Sequence, residues 1–172
     1  MSYYADDRRV PAKSRSDIRR FANSIRDLFG IDHSQPFPVM EFLEFALPRV
    51  FPDFELEILS VEEMGEKHGE TLHDRRIIRI REDIYDRACN GEGRDRFTVC
   101  HEMGHLFMHA HLDVSMARTR GKYPAYESSE WQANAFAGEL LMPHDAIVGM
   151  DIWEVADRFL VSESAAEKQL RS

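Results

Sequence analysis

Residues 97–109 read Phe-Thr-Val-Cys-His-Glu-Met-Gly-His-Leu-Phe-Met-His, and they constrain the chain more than any other stretch. Inside them lies His-Glu-x-x-His, as His101, Glu102 and His105. A helix places residues four apart on one face about a turn apart, so both imidazoles can aim at one ion. Glu102, next to the first imidazole, then reaches a water beside the ion instead of the ion itself. This is the signature arrangement of zinc-dependent peptidases. A catalytic zinc keeps three protein ligands and one open position, so the fold must bring a third donor to this helix. Two imidazoles and a carboxylate suit Zn2+, with Mn2+ or Fe2+ as compatible alternatives.

Three residues compete for that third position. His111 stands six residues after His105, but a chain that turns back there needs glycine at position 108, where this one has Met108. With Met108 the helix continues and carries His111 away. Glu127 and Glu130 lie at the start of the next helical pattern. Glu130 shares a face with Asn134 one turn on, so the glutamate can ligate while the amide hydrogen-bonds a ligand or nearby backbone. Glu127, nearer the helix start, suits a cap or the helix dipole, which makes Glu130 the better placed. His109 continues the 101–105 face but sits a turn too far for the same ion; packing or a hydrogen bond beneath the site fits it better. Cys100 projects about a quarter-turn from His101 and reads as a small buried hydrophobe.

The remaining pattern organises support for this helix. A chain of 172 residues fits one domain. Ile18, Phe21, Ala22, Ile25, Leu28 and Phe29 recur at helical spacing, with Ser14 or Ser16 as N-cap, Gly30 as a stop and the arginines outward. A second helix is expected from Pro38, with Phe42, Leu43, Phe45 and Ala46 inward, ending before Pro48. Residues 54–58 alternate like a half-buried strand, residues 75–81 read as a strand at a sheet edge guarded by arginines, and a third strand fits between Met64 and His73. A helical turn at 84–90, the metal helix at 94–110, a loop over the site at 111–125 and a helix at 128–142 closed by Pro143 complete the core. The class is α+β, helices with a small three-stranded sheet. Residues 1–15 form a basic N-terminal arm, 16–145 the main domain and 146–172 a helical extension packed on it.

A net charge of −9 excludes broad binding to a phosphate backbone. The arginine-rich opening, with Arg8, Arg9, Lys13, Arg15, Arg19, Arg20 and Arg26, reads as a solvated helix face with a frayed terminus. The first residues lack an apolar signal core, no run is long enough to span a bilayer, and two cysteines make no disulfide framework. A cytoplasmic location, without membrane contact, is the expectation.

Residues 96–109 followed by Glu-Trp-Gln-Ala-Asn-Ala-Phe-Ala-Gly-Glu-Leu-Leu-Met-Pro at 130–143 closely resemble the ImmA/IrrE family of metallopeptidases. The resemblance is clear over about 94–145. It implies a thermolysin-like minimal helix-and-sheet core, zinc held by His101, His105 and Glu130, and Glu102 as general base. It also implies a role: cleavage of a protein partner, a helix-turn-helix repressor or antitoxin-like regulator encoded nearby, in phage, mobile-element or toxin–antitoxin settings. A rival is a regulatory binding protein whose metal site is structural or idle. Tyr123, Tyr126 and His144 are the candidate donors to a developing oxyanion. Residues 153–170 resemble a helix–turn–helix phrase with Ser162 as N-cap. Glu163 and Glu167 at its second helix argue against direct DNA binding and for a helical hairpin that packs or meets a partner.

Overall fold

The computed structural model describes residues 7–112 and 122–172. Helix α1 (Arg15–Leu28) starts on Ser14, whose hydroxyl accepts from the Asp17 N–H while the Asp17 carboxylate takes the Ser14 N–H. This reciprocal pair satisfies two donors that a helix start leaves bare. Ile18, Ala22 and Ile25 form its buried stripe. Three arginines expected in water point elsewhere. Arg15 and Arg19 turn to the buried carboxylate of Glu139, at 2.7 and 3.1 Å. Arg26 is fully buried and donates to Leu140 O and Leu141 O, the last carbonyls of a later helix, and to Asp32 O and Gln35 O. Five guanidinium donors let one side chain finish a helix end and tie down the loop after α1.

A helical stretch follows as α2 (Val39–Glu41), a π-helical turn (Phe42–Ala46) and α3 (Leu47–Val50). It passes through Pro48 instead of ending before it. The Leu47 N–H bonds to Phe42 O, and this wide turn absorbs the mismatch ahead of the proline. Pro48 then occupies the first turn of α3, where its missing N–H costs little. Phe42, Leu43 and Leu47 stay in the core, but the extra residue of the π turn rotates Phe45 outward to 64% exposure.

The sheet contains β1 (Glu55–Leu59), β2 (Gly69–Leu72) and β3 (Ile77–Arg81) in the order β1-β3-β2, with short helix α4 (Val61–Met64) before β2. β1 runs parallel to β3, and β2 antiparallel. The arginine-bearing strand is therefore central, not an edge. Its charge is matched from both neighbours, because Arg79 stands opposite Glu57 on one side and Glu70 on the other. Its Nε lies 2.6 Å from Glu57 Oε2. Ile78 and Ile80 are fully buried, each worth about 1.5–3 kcal/mol.

From β3 the chain enters α5 (Glu82–Cys89) and α6 (Gly93–His109), and later a 3-10 turn (Ala125–Glu127) and α7 (Ser129–Leu141). Most of the loop expected at 111–125 lies outside the described residues. The chain closes with α8 (His144–Ile147), α9 (Ile152–Phe159) and α10 (Glu163–Leu170). α7 is packed between α6 and α1, and α6 also packs on β2 and β3. Ser162 caps α10 by accepting from the Ala165 N–H at 3.2 Å. That hairpin is fastened to the rest by Arg96, which donates to Phe159 O and Leu160 O, and by Gln169, which donates to Met142 O. The architecture is α+β, and no helix among the described residues is long and apolar enough to cross a membrane.

Candidate metal centre

Two turns of α6 and the first turn of α7 meet at His101, His105 and Glu130, whose donor atoms all lie within 4.8 Å of one another. The two imidazole Nε2 atoms are 3.1 Å apart. Glu130 Oε2 lies 3.2 Å from Nε2 of His101, and Oε1 lies 3.0 Å from Nε2 of His105. The approach of the helices depends on Gly104. A Cβ there would fall 3.0 Å from Phe136 Cδ1 and 3.2 Å from Ala133 Cα, so a side chain would push α7 and its glutamate away. Ser128 caps α7 by accepting from the Trp131 N–H at 3.0 Å. Glu130 thus sits in the first turn, where the positive helix end favours a carboxylate.

His101 Nδ1 lies 2.8 Å from Asn134 Oδ1, an oxygen that only accepts, so Nδ1 carries the proton and Nε2 keeps its lone pair toward the cluster. That lone pair and the Glu130 carboxylate converge on one point, an arrangement a cation reconciles. Imidazole and carboxylate donors at such separations fit a divalent transition metal. The charges also lean on each other. Burial opposes protonation of His101, but the Glu130 hydrogen bond, the charges of Glu102 and Glu130 and the Asn134 contact outweigh it and raise its pKa. Burial likewise opposes ionisation of Glu130, yet the two histidines hold its carboxyl far below the usual range.

Glu102 is buried at the β2 side of α6. The Thr71 hydroxyl lies 2.7 Å from its Oε2 and 3.0 Å from its backbone oxygen. Gly69 makes room: a Cβ at that position would stand 2.8 Å from Glu102 Cγ. His73 adds a third imidazole edge-on to the His105 ring, with centroids 5.4 Å apart. Burial first, then His105 and Arg8, push the His73 pKa down to about 4. Sequence reading missed Gly69, Thr71 and His73, since β2 and the turn that follows it carry no motif. His109 was more legible, because histidines at i, i+4 and i+8 share a face. Its Nδ1 lies 3.0 Å from His105 Nδ1, and its Nε2 lies 3.0 Å from Gln132 Oε1.

Of the other candidates, Glu127 and Tyr123 are engaged elsewhere. His111 is exposed past the end of α6 and does not belong to the three-residue cluster. Glu127 pairs with Arg9 at 2.5 Å. Tyr123 donates to Asp7 at 2.7 Å, and burial together with that carboxylate pushes its pKa up to about 12. Tyr126 is half-exposed, and His144 Nδ1 has no hydrogen-bond partner among the described residues. The opening segment is not frayed from Asp7 onward. Asp7 accepts from Ser128 Oγ, Ser129 Oγ and the Glu130 N–H, Arg9 bridges to Ser128, and Val10 is buried. This segment serves as a strap along the entrance to α7, held by Asp7, by backbone bonds and by Arg9 on Glu127.

Residues 55–171 match the sequence profile of the IrrE N-terminal-like domain, a peptidase family. The chain belongs to the IrrE N-terminal-like family. The match takes in the sheet, both helices of the candidate centre and the C-terminal hairpin, well beyond the two motifs that first carried the resemblance. No curated protein matches the chain. Membership in this peptidase family, with a candidate metal site on α6 and α7, points to a metallopeptidase with a protein substrate.

Proposed function

We propose that this IrrE-like chain is a zinc-dependent endopeptidase acting on one specific protein, a helix-turn-helix repressor or antitoxin-like regulator, in the cytoplasm. The observation that carries the reading is the meeting of His101, His105 and Glu130 with Glu102 on the neighbouring face of the same helix. Those three residues would hold the ion. When bound, zinc supplies Lewis-acid polarisation of a peptide carbonyl and lowers the pKa of water. Glu102 takes the proton of the attacking water and later delivers it to the leaving amine. Thr71 keeps one oxygen of that carboxylate occupied, which leaves the other to face the water. β3 is paired on both sides and has no edge to offer a peptide. β2 is an edge strand and carries Gly69 and Thr71, the residues that touch Glu102, so an extended substrate segment pairs there. The regulator as substrate rests on the family resemblance.

The test is coexpression with helix-turn-helix regulators drawn from the gene's neighbourhood, read by mass spectrometry of the regulator and by zinc content of the purified chain. Wild type should cut the regulator; Glu102→Gln should keep zinc and lose cleavage. Glu130→Ala should lose zinc while His111→Ala keeps it. Release of an intact regulator, or zinc loss in His111→Ala alone, refutes the reading.

A further inference from the structure

The bonds behind His105 form a chain whose polarity can be read from one end. Gln132 is fully buried in α7. Its Nε2 lies 2.9 Å from Pro11 O and 2.8 Å from Tyr126 O, two carbonyls that can only accept. Those contacts fix the orientation of the amide, so its Oε1 faces His109 Nε2 at 3.0 Å. An amide oxygen also only accepts, which puts the His109 proton on Nε2. A neutral imidazole has one proton, so His109 Nδ1 is a lone pair. His105 Nδ1, 3.0 Å away, must then be the donor. That leaves the His105 lone pair on Nε2, the atom 3.0 Å from Glu130 and 3.1 Å from His101 Nε2.

We propose that His109 and Gln132 are positioning residues that lock His105 into the tautomer presenting Nε2 to the metal, with the N-terminal strap setting the direction through Pro11 O. The inference rests on the metal reading above. His101 has its own orienting partner in Asn134, so each imidazole of the pair is held from behind by a separate group, Asn134 of α7 for His101 and His109 of α6 for His105. A ligand oriented this way is a stronger base at its free nitrogen, and losing such a partner weakens metal binding by about 10–100-fold. The strap makes this more than a local contact. Gln132 joins two carbonyls from different segments, one before α1 and one in the turn before α7, and both must be in place for the amide to present its oxygen.

The experiment has two readouts on zinc-loaded full-length protein. Long-range 15N–1H NMR assigns the protonated nitrogen of each histidine, and zinc competition against a chelating dye gives affinity. We expect His105 protonated on Nδ1 and metal-shifted on Nε2, with His109 protonated on Nε2. His109→Phe should weaken zinc by about 10–100-fold. His109→Asn, whose Oδ1 stands near the place of Nδ1 and can accept, should restore most of that loss. A His109 proton found on Nδ1 overturns the inference, as does an unchanged affinity in His109→Phe or a folded His109→Asn no better than Phe. Wild type that binds no zinc would instead bring down the metal reading, and the inference with it.

Discussion

Acid should destabilise the zinc-free protein through His109, by an amount the structure allows to be calculated. The side chain is 2% exposed, and burial first, then the neighbouring His105, push its pKa down to about 3. In the unfolded chain the imidazole titrates near pH ~6.5. Between those values the unfolded state binds a proton that the folded state refuses, so stability falls as pH falls below about 6.5 and rises with pH. At about pH 5 the unfolded state gains roughly RT ln(1 + 10^1.5), or about 2 kcal/mol, and the figure holds for any folded pKa well below 5. His101 acts with the opposite sign. Its raised pKa gives stability that is complete below the unfolded value and lost as pH rises through the folded one. A comparison with His109→Phe separates the two. Urea unfolding of zinc-free protein, followed by tryptophan fluorescence at about pH 7.5 and about pH 5, should show wild type losing about 2 kcal/mol more than the variant on acidification. Equal losses would refute a neutral buried His109.

Two further substitutions probe the frame around the site. Gly69→Ala places a Cβ where Glu102 Cγ now stands 2.8 Å away, and a displacement approaching 1 Å should lower cleavage by about 100-fold while bound zinc is retained; unchanged cleavage would show that the carboxylate has room to spare. Arg26→Leu strips the donors from four buried or half-buried carbonyls, and a loss of about 3 kcal/mol or more should lower Tm by about 6–12 °C in a scan at fixed zinc; a drop under about 2 °C would mean water replaces the guanidinium.

Much of the outer frame could be read from the chain because local chemistry dictates it. Ser14, Ser128 and Ser162 begin helices by accepting from their own backbones, and α1 buries a stripe spaced at three and four residues. Long-range pairing was less legible. Nothing in the run at 75–81 says that a glutamate will stand on each side of Arg79, so its arginines looked like protection for an edge. Phe45 followed the helical period and still faces water, because a π turn ahead of Pro48 shifts the phase. Arg26 sits on a surface-like pattern, yet two of its four carbonyl partners lie more than a hundred residues away.

The sequence by itself determined that His101 and His105 would share a helix face with Glu102 beside them, since a spacing of four is set by the pitch of the helix. It also placed Glu130 and Asn134 on one face of a second helix for the same reason. Only the tertiary structure decided how the two faces meet. Gly104 against Ala133 lets α6 and α7 approach closely enough for Glu130 to reach both imidazoles, Gly69 and Thr71 bring β2 onto Glu102, and Gln132 turns its oxygen toward His109 because the chain before α1 returns to hold its nitrogen. Helix periodicity is local and survives in any context. A donor's direction depends on the partner opposite it, and here those partners come from segments far apart in the chain.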